Sequence, residues 1–336
     1  MSKPSPVLTP ALRDVQANAP DTRVSLSRVG VRGVEKVIRV APHPGGEPGL
    51  FFAELEAFVD LNPDQAGVHM SRFEEIVNEA IEDVVLSEAL RAEELAARIA
   101  EQVRERQHGC RAEVRIAARY AETVQTPVSG LDTQEIYKLH GVAVASAQGT
   151  RTLTGVEAQG MTACPCAQGL LADRARERLA ADGFDDAVID RILEAVPVAT
   201  HNQRGIGELH IGRPEGVNSD VDARDLLRIV EASMSSEIYE LMKRSDEAAV
   251  VEKAHRNPRF VEDVVREMVR RVAETYPELG EGGFLLARQE NLETIHRHTV
   301  VAERSGLLSE VLHEVATGDH SQRHVSQREW LEQTSV

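Results

Sequence analysis

The chain has 336 residues, with 38 Lys and Arg against 55 Asp and Glu, for a net charge of −17. That surplus argues against a broad basic face for nucleic acid or an anionic membrane surface, while leaving room for a local basic pocket. Aromatic residues at 4% argue against a stacking platform for single-stranded nucleic acid. The length suits two domains, and an apolar fraction of 42% is ordinary for a globular protein. There is no run of about eighteen apolar residues and no apolar N-terminal segment ending in a small-residue cleavage site, so the expectation is a cytoplasmic protein without a membrane partner. Cys110, Cys164 and Cys166 are odd in number and two of them are only two apart. They read as a thiol ligand or nucleophile rather than a disulfide framework.

In chain order, residues 1–22 are Pro-rich and aperiodic and read as a flexible arm. The run from Val24 to Val40 alternates as a strand, with Gly30 and Gly33 as bulge points, and a turn at 43–48 leads to a second strand over 50–61. Ser71 and Glu74 form an S-x-x-E capping box ahead of a helix over 71–86. A second helix over 91–107 follows, then strands over 111–122 and 134–146. The second half predicts strands at 150–160 and 204–212, helices at 221–242 and 258–275, and strands at 283–290 and 296–303. A helical insertion over 167–196 breaks at Gly183. Each half therefore reads β-β-α-α-β-β, an α+β class with helices on one face of antiparallel strands. The division is an arm at 1–22, modules at 23–148 and 149–316, and a loose tail at 317–336.

Three clusters carry reactive side chains. MTACPCAQ holds Cys164 and Cys166 with Pro165 stiffening the link, so that one thiolate suits a metal while its neighbour packs. ATHNQRGIG places His201 and Arg204 among amides and glycines, a loop able to hold a metal or an anion. ENLETIHRH carries Glu293, His296 and His298; as a strand it sends both imidazoles one way, and as a turn it lets Glu293 and His296 share a face. Cys, His and Glu gathered from distant segments suit an open site for a first-row divalent metal rather than a zinc finger. Further on, NPRFVED places Pro258 in a helix's first turn, Asn257 as its cap and Glu262 near its N-terminus. Dipole compensation and a carboxylate offered to paired N–H donors are both open there.

These motifs, with KRSDE at 243–247 and GVHMSRF at 67–73, resemble the type IB GTP cyclohydrolase family. The insertion between Cys166 and His201 resembles the archaeal branch that feeds methanopterin-type pterins. The resemblance runs from about Val24 to Val301, with Ser245 standing where the family pattern has proline. It implies tandem tunnelling-fold modules, assembled as a homodimer or homotetramer with sites at interfaces. It implies one divalent metal per site, Fe²⁺ first and Mn²⁺ or Zn²⁺ as alternatives, held by Cys164, His201, Glu247 and His296. Glu293 joins the catalytic group, Glu262 holds the guanine N–H edge, and His296, His298 or His69 moves protons. His69, Arg72 and Arg204, with Lys243 and Arg244, are the candidates for the rest of GTP. The implied reaction opens the guanine imidazole ring at C8 and releases formate. The product is 7,8-dihydroneopterin 2′,3′-cyclic phosphate or, in the bacterial branch, the triphosphate for folate; a non-catalytic nucleotide-binding protein of the same fold is the remaining alternative.

Overall fold

The computed structural model describes Gln16 and residues 18–41, 47–86, 91–213, 221–280, 282–320 and 323–332. Most of the expected arm, residues 43–46 of the expected turn and parts of the expected tail lie outside them. Strands β1 (Leu26–Val40) and β2 (Gly49–Leu61) form a hairpin, followed by helices α1 (Met70–Leu86) and α2 (Ala92–Arg106) and by strands β3 (Arg111–Gln125) and β4 (Asp132–Ser146). The second half runs β5 (Gly149–Ala163), α3 (Pro165–Ala181), α4 (Asp186–Ala195), β6 (Asn202–Arg213), α5 (Ala223–Ser233), β7 (Ser236–Glu237), α6 (Arg244–Arg256), α7 (Val261–Thr275), β8 (Phe284–Leu292) and β9 (Val300–Leu307). Helices α8 (Leu308–Thr317) and α9 (Gln327–Glu332) complete the described chain.

All pairings are antiparallel, in the order β1-β2-β3-β4-β5-β6-β8-β9, with β7 added beside the end of β5. The expected boundary near residue 148 falls on the turn between β4 and β5, whose pairing carries one sheet through both halves. Period-two alternation sends one set of side chains from every strand to α1, α2, α5 and α7. Ile116 and Val114 of β3, Leu139 of β4, Val156 of β5, Leu209 of β6 and Leu285 of β8 join Phe73, Ile99, Leu226 and Met268 in one continuous core. The fold is thus α+β, one antiparallel sheet with the main helices on one face. Among the described residues, no helix is long and apolar enough to cross a membrane.

Several elements depart from the sequence reading. The helix expected over 221–242 stops at Ser233, because Ser235 donates its backbone N–H to the Met161 carbonyl and its Oγ accepts from Ala163 N–H. That tertiary pairing overrides local propensity and turns Ser236–Glu237 into a strand. Glu74 reaches across to Lys36 Nζ of β1, 3.2 Å away, and α1 begins at Met70. α7 begins at Val261, not at Pro258, and the Asp263 carboxylate accepts from Phe260 N–H at its start. The insertion is a pair of helices, and Gly183, at φ +90°, supplies the left-handed residue between them.

The expected loose tail is docked through Val325, Trp330 and Leu331. Trp330 is fully buried, stacks on Phe284 and donates its indole N–H to the Gly282 carbonyl. With Val325 and Leu331 it covers Val142, Val144 and Leu153 on the face opposite the main helices. Farther along that second face, His140, Gly155 and His210 stand side by side across β4, β5 and β6. A Cβ on Gly155 would lie 2.2 Å from His210 Nδ1, so glycine is what lets the ring fold over β5. The two imidazoles come within 5.3 Å, and His210 Nε2 shares a 2.7 Å hydrogen bond with Glu208.

Burial, and secondly the neighbouring His210, hold the His140 pKa well below its usual 6.5. The unfolded chain therefore binds the extra proton first, and stability present above pH 6.5 is lost as pH falls. Glu208, held down by its hydrogen bond to His210, acts in the same direction at lower pH. Glu231, whose pKa burial raises to about 7, acts with the opposite sign over the same range, so the His140 contribution is read as a difference. Between pH 7 and pH 5 the stability of the wild-type protein relative to His140→Leu, measured by urea denaturation, should fall by up to about 1.4 kcal/mol per pH unit.

Candidate active site

Four stretches of chain meet where β5 ends, β6 begins, β8 ends and α7 begins. Cys164 follows β5 directly and starts α3, where Pro165 occupies the first turn. His201 precedes β6. Because Ala163 and Asn202 are partners in the β5–β6 ladder, these two residues face one another past its end. The Cys164 N–H donates to the His201 carbonyl at 3.1 Å, and Thr200 Oγ1 donates to the Cys164 carbonyl at 2.8 Å. The backbone thus fixes both residues before any side-chain interaction.

The other two stretches arrive by equally local means. After β8 the chain bends, and Thr294 Oγ1 ties that bend to the Asn202 carbonyl. The bend replaces the start of the strand expected over 296–303, so β9 begins only at Val300. It carries Glu293 inward, with a side chain only 8% exposed, and leaves His296 and His298 stacked on each other in solvent. Arg259 N–H donates to the Ala163 carbonyl, which brings the first turn of α7 and Glu262 to the same place.

The result is a cavity of about 280 Å³ lined by Cys164, His201, Gln203, Arg259, Glu262, Asn291, Glu293, His296 and His298, with Phe260, Val261 and Val300 at its apolar parts. Cys164, His201, His296, Glu293 and Glu262, read from separate motifs, are therefore neighbours. His201 Nδ1 lies 3.0 Å from Gln203 Oε1 and 3.7 Å from Glu293 Oε2. That carboxylate oxygen is buried without a hydrogen-bond partner. An orphaned anionic oxygen among a thiol and imidazoles is a donor set that fits a divalent cation. No three such side chains already enclose an ion among the described residues. Closing round a metal would fall to the exposed His296.

The structure separates the remaining candidates from this cavity. Glu247 is exposed in the first turn of α6, whose start is anchored by its buried neighbour Asp246. Asp246 accepts from the backbone N–H groups of Lys243, Val128 and Ser129 and from Ser129 Oγ, so hydrogen bonds hold its carboxyl below the ordinary range against the opposing effect of burial. Lys243 and Arg244 are exposed beside it. Arg204 is exposed on the opposite side of β6 from Gln203. His69 and Arg72 line a different cavity, of about 460 Å³, with Asn62, Asp64, Gln65 and His108. There Arg72 Nη1 donates to the Arg106 carbonyl at the end of α2.

Sequence reading passed over Gln203, Arg259 and Asn291. Gln203 was signalled by its place two residues after His201, on the same side of an extended strand. Arg259 lay inside a motif whose carboxylate drew the attention. Asn257, expected to cap the next helix, instead ends α6 and donates its side-chain amide to the Met234 and Ser235 carbonyls at 3.2 and 3.3 Å.

Fold and site together describe an α+β enzyme scaffold with a thiol, imidazole and carboxylate cavity at the strand ends. The family model described as type I GTP cyclohydrolase folE2 matches residues 12–302, and the chain belongs to that family. GTP cyclohydrolase MptA of Methanococcus aeolicus is 42% identical over 90% of this chain and 99% of its own length. The MptA proteins of Methanocaldococcus jannaschii and Methanoregula boonei are 38% and 39% identical, over 90% and 92% of this chain and 97% and 95% of their own lengths. Among solved structures, uricase from Arthrobacter globiformis overlaps 83% of this chain and 93% of its own at 11% identity with a TM-score of 0.49, a likeness too slight to carry argument.

Asn257→Ala strips a donor from two carbonyls and should cost about 1–3 kcal/mol in chemical denaturation. Loosening the end of α6 should also speed the reaction of Cys164 with a thiol reagent, read against a Cys110→Ser, Cys166→Ser background.

Proposed function

We propose that the chain is a metal-dependent GTP cyclohydrolase of the archaeal, methanopterin-pathway kind within the type IB division of its family. The observation that carries this reading is the single cavity shared by Cys164, His201, Glu293, His296 and Glu262. The MptA relatives, matched over nearly their whole lengths, support GTP as the substrate. A divalent metal, Fe²⁺ by preference, would be held by Cys164, His201 and His296, and would supply the Lewis acidity that makes water nucleophilic near neutral pH.

The chain's own residues divide the remaining work. Glu262, at the mouth of α7, accepts the paired N–H groups of the guanine edge and so directs C8 toward Cys164 and His201. His298, exposed beside His296, exchanges protons with solvent and delivers one to the imidazole nitrogen as the ring opens. Arg259 is the guanidinium that lines this cavity, and it takes a phosphate in the role first offered to Arg72 and Arg204. Its Nε is oriented by Asn257 Oδ1 at 3.3 Å. The product is 7,8-dihydroneopterin 2′,3′-cyclic phosphate.

The working unit is a homodimer or homotetramer. Strands β1 and β9 are the outer strands of the sheet, each with an edge available to a second copy. The cavity of His69 and Arg72, separate from that of Cys164 within one chain, would complete the site across such an interface.

Purified protein given GTP and Fe²⁺ without oxygen should release formate, and mass analysis should find the cyclic phosphate. Detection of the triphosphate instead would move the chain to the folate-type reaction, and absence of formate would defeat the enzymatic reading. In that assay Cys164→Ala should abolish turnover and lower the metal content, whereas Cys166→Ala should retain substantial activity. Glu262→Gln keeps the shape and loses a charge-assisted acceptor, so GTP binding should weaken by about 1.5–3 kcal/mol in a calorimetric titration, with metal content unchanged.

A further inference from the structure

His201 faces two oxygen acceptors through the same ring nitrogen. Gln203 Oε1 lies 3.0 Å from His201 Nδ1, and the Glu293 carboxylate lies 3.7 Å from it on another side. A lone pair at Nδ1 would be repelled by both oxygens, so the proton belongs on Nδ1 and the lone pair on Nε2. The other end of the amide is paired as well. Gln203 is 5% exposed, and its Nε2 donates to Thr162 Oγ1 at 3.1 Å. Thr162 is fully buried and sits opposite Gln203 in the β5–β6 ladder.

We propose that Gln203 is a positioning residue that fixes His201 as the Nδ1–H tautomer and presents Nε2 to the cavity as a metal-binding lone pair. Because the amide oxygen takes the Nδ1 proton, Glu293 is relieved of that task and keeps a buried carboxylate oxygen free for cation or substrate. Thr162, Gln203 and His201 therefore form a relay of hydrogen bonds from core to cavity.

The part of this inference that concerns metal affinity rests on His201 being a ligand; the tautomer does not. In the metal-free full-length protein, labelled with ¹⁵N-histidine, long-range proton–nitrogen spectra should show His201 protonated at Nδ1, its signals assigned by their loss in His201→Asn. Gln203→Leu should give a mixture of tautomers, and Gln203→Glu, which keeps an acceptor, should restore the Nδ1–H form. In competition with a chromophoric chelator, Zn²⁺ affinity should fall about 10–100-fold in Gln203→Leu and recover in Gln203→Glu. A wild-type His201 protonated at Nε2 would overturn the inference, and so would Zn²⁺ affinity within twofold of wild type in a folded Gln203→Leu. Should that variant fail to fold, the wild-type tautomer decides alone. Unchanged Zn²⁺ affinity in His201→Asn would instead defeat the ligand reading, with the spectra still judging Gln203.

Discussion

The antiparallel register of β5 against β6 is the constraint from which the site follows. It pairs Ala163 with Asn202, Thr162 with Gln203 and Met161 with Arg204. A slip of one residue would turn Gln203 away from Thr162, its partner across the ladder, and send Arg204 toward the cavity. The register also decides where the insertion between the strands must leave and return. Cys164 and His201 are the two lips of that excursion, and a backbone hydrogen bond closes it at its neck. Closing a long loop has an entropic cost that grows only slowly with length, so an insertion there leaves the geometry of the neck intact.

The neck is held by side chains from α3 and α6 as well. Gln168 Nε2 donates to the Val198 and His255 carbonyls, and Arg256 Nη1 donates to the Glu194 carbonyl. These bonds join α3, the end of α4 and the end of α6 to the approach of His201. Behind the cavity the wall is polar and buried: Gln203, Gln289 and Asn291 line up across β6 and β8, with Gln289 Nε2 donating to Asn291 Oδ1 at 3.0 Å. Amides in the interior are costly unless paired, and once paired they limit the rotamers their neighbours can take. Rigidity at the strand ends contrasts with the exposed His296–His298 turn. One wall of the site is thus buried and hydrogen-bonded, and the other is exposed.

Much of this was legible in the residues. Alternation located the eight long strands, and Gly183 marked the break in the insertion. The family resemblance brought Cys164, His201, Glu293, His296 and Glu262 together before any coordinates did. What escaped was the work of distant partners. Ser235 ends α5 because β5 lies beside it, and no local pattern carries that information. Glu247 was implied as a ligand by the resemblance, yet the helix start exposes it and buries its neighbour Asp246. Arg204 and Gln203 are adjacent letters on opposite faces of one strand. The docked tail escaped because a single tryptophan among polar residues has no periodicity to detect.

That tryptophan imposes an order on synthesis. The small core on the second face takes Val142, Val144 and Leu153 from the middle of the chain and Trp330 and Leu331 from far beyond it. Until residue 330 has been made, those valines and that leucine lack the cover that Trp330 and Leu331 give them. The helical face of the first module can meanwhile assemble from residues 26–146, all already made. Each nascent chain therefore passes through a stage in which one side of its sheet is finished and the other is an uncovered apolar strip, a stage in which a chaperone or a stray strand can bind.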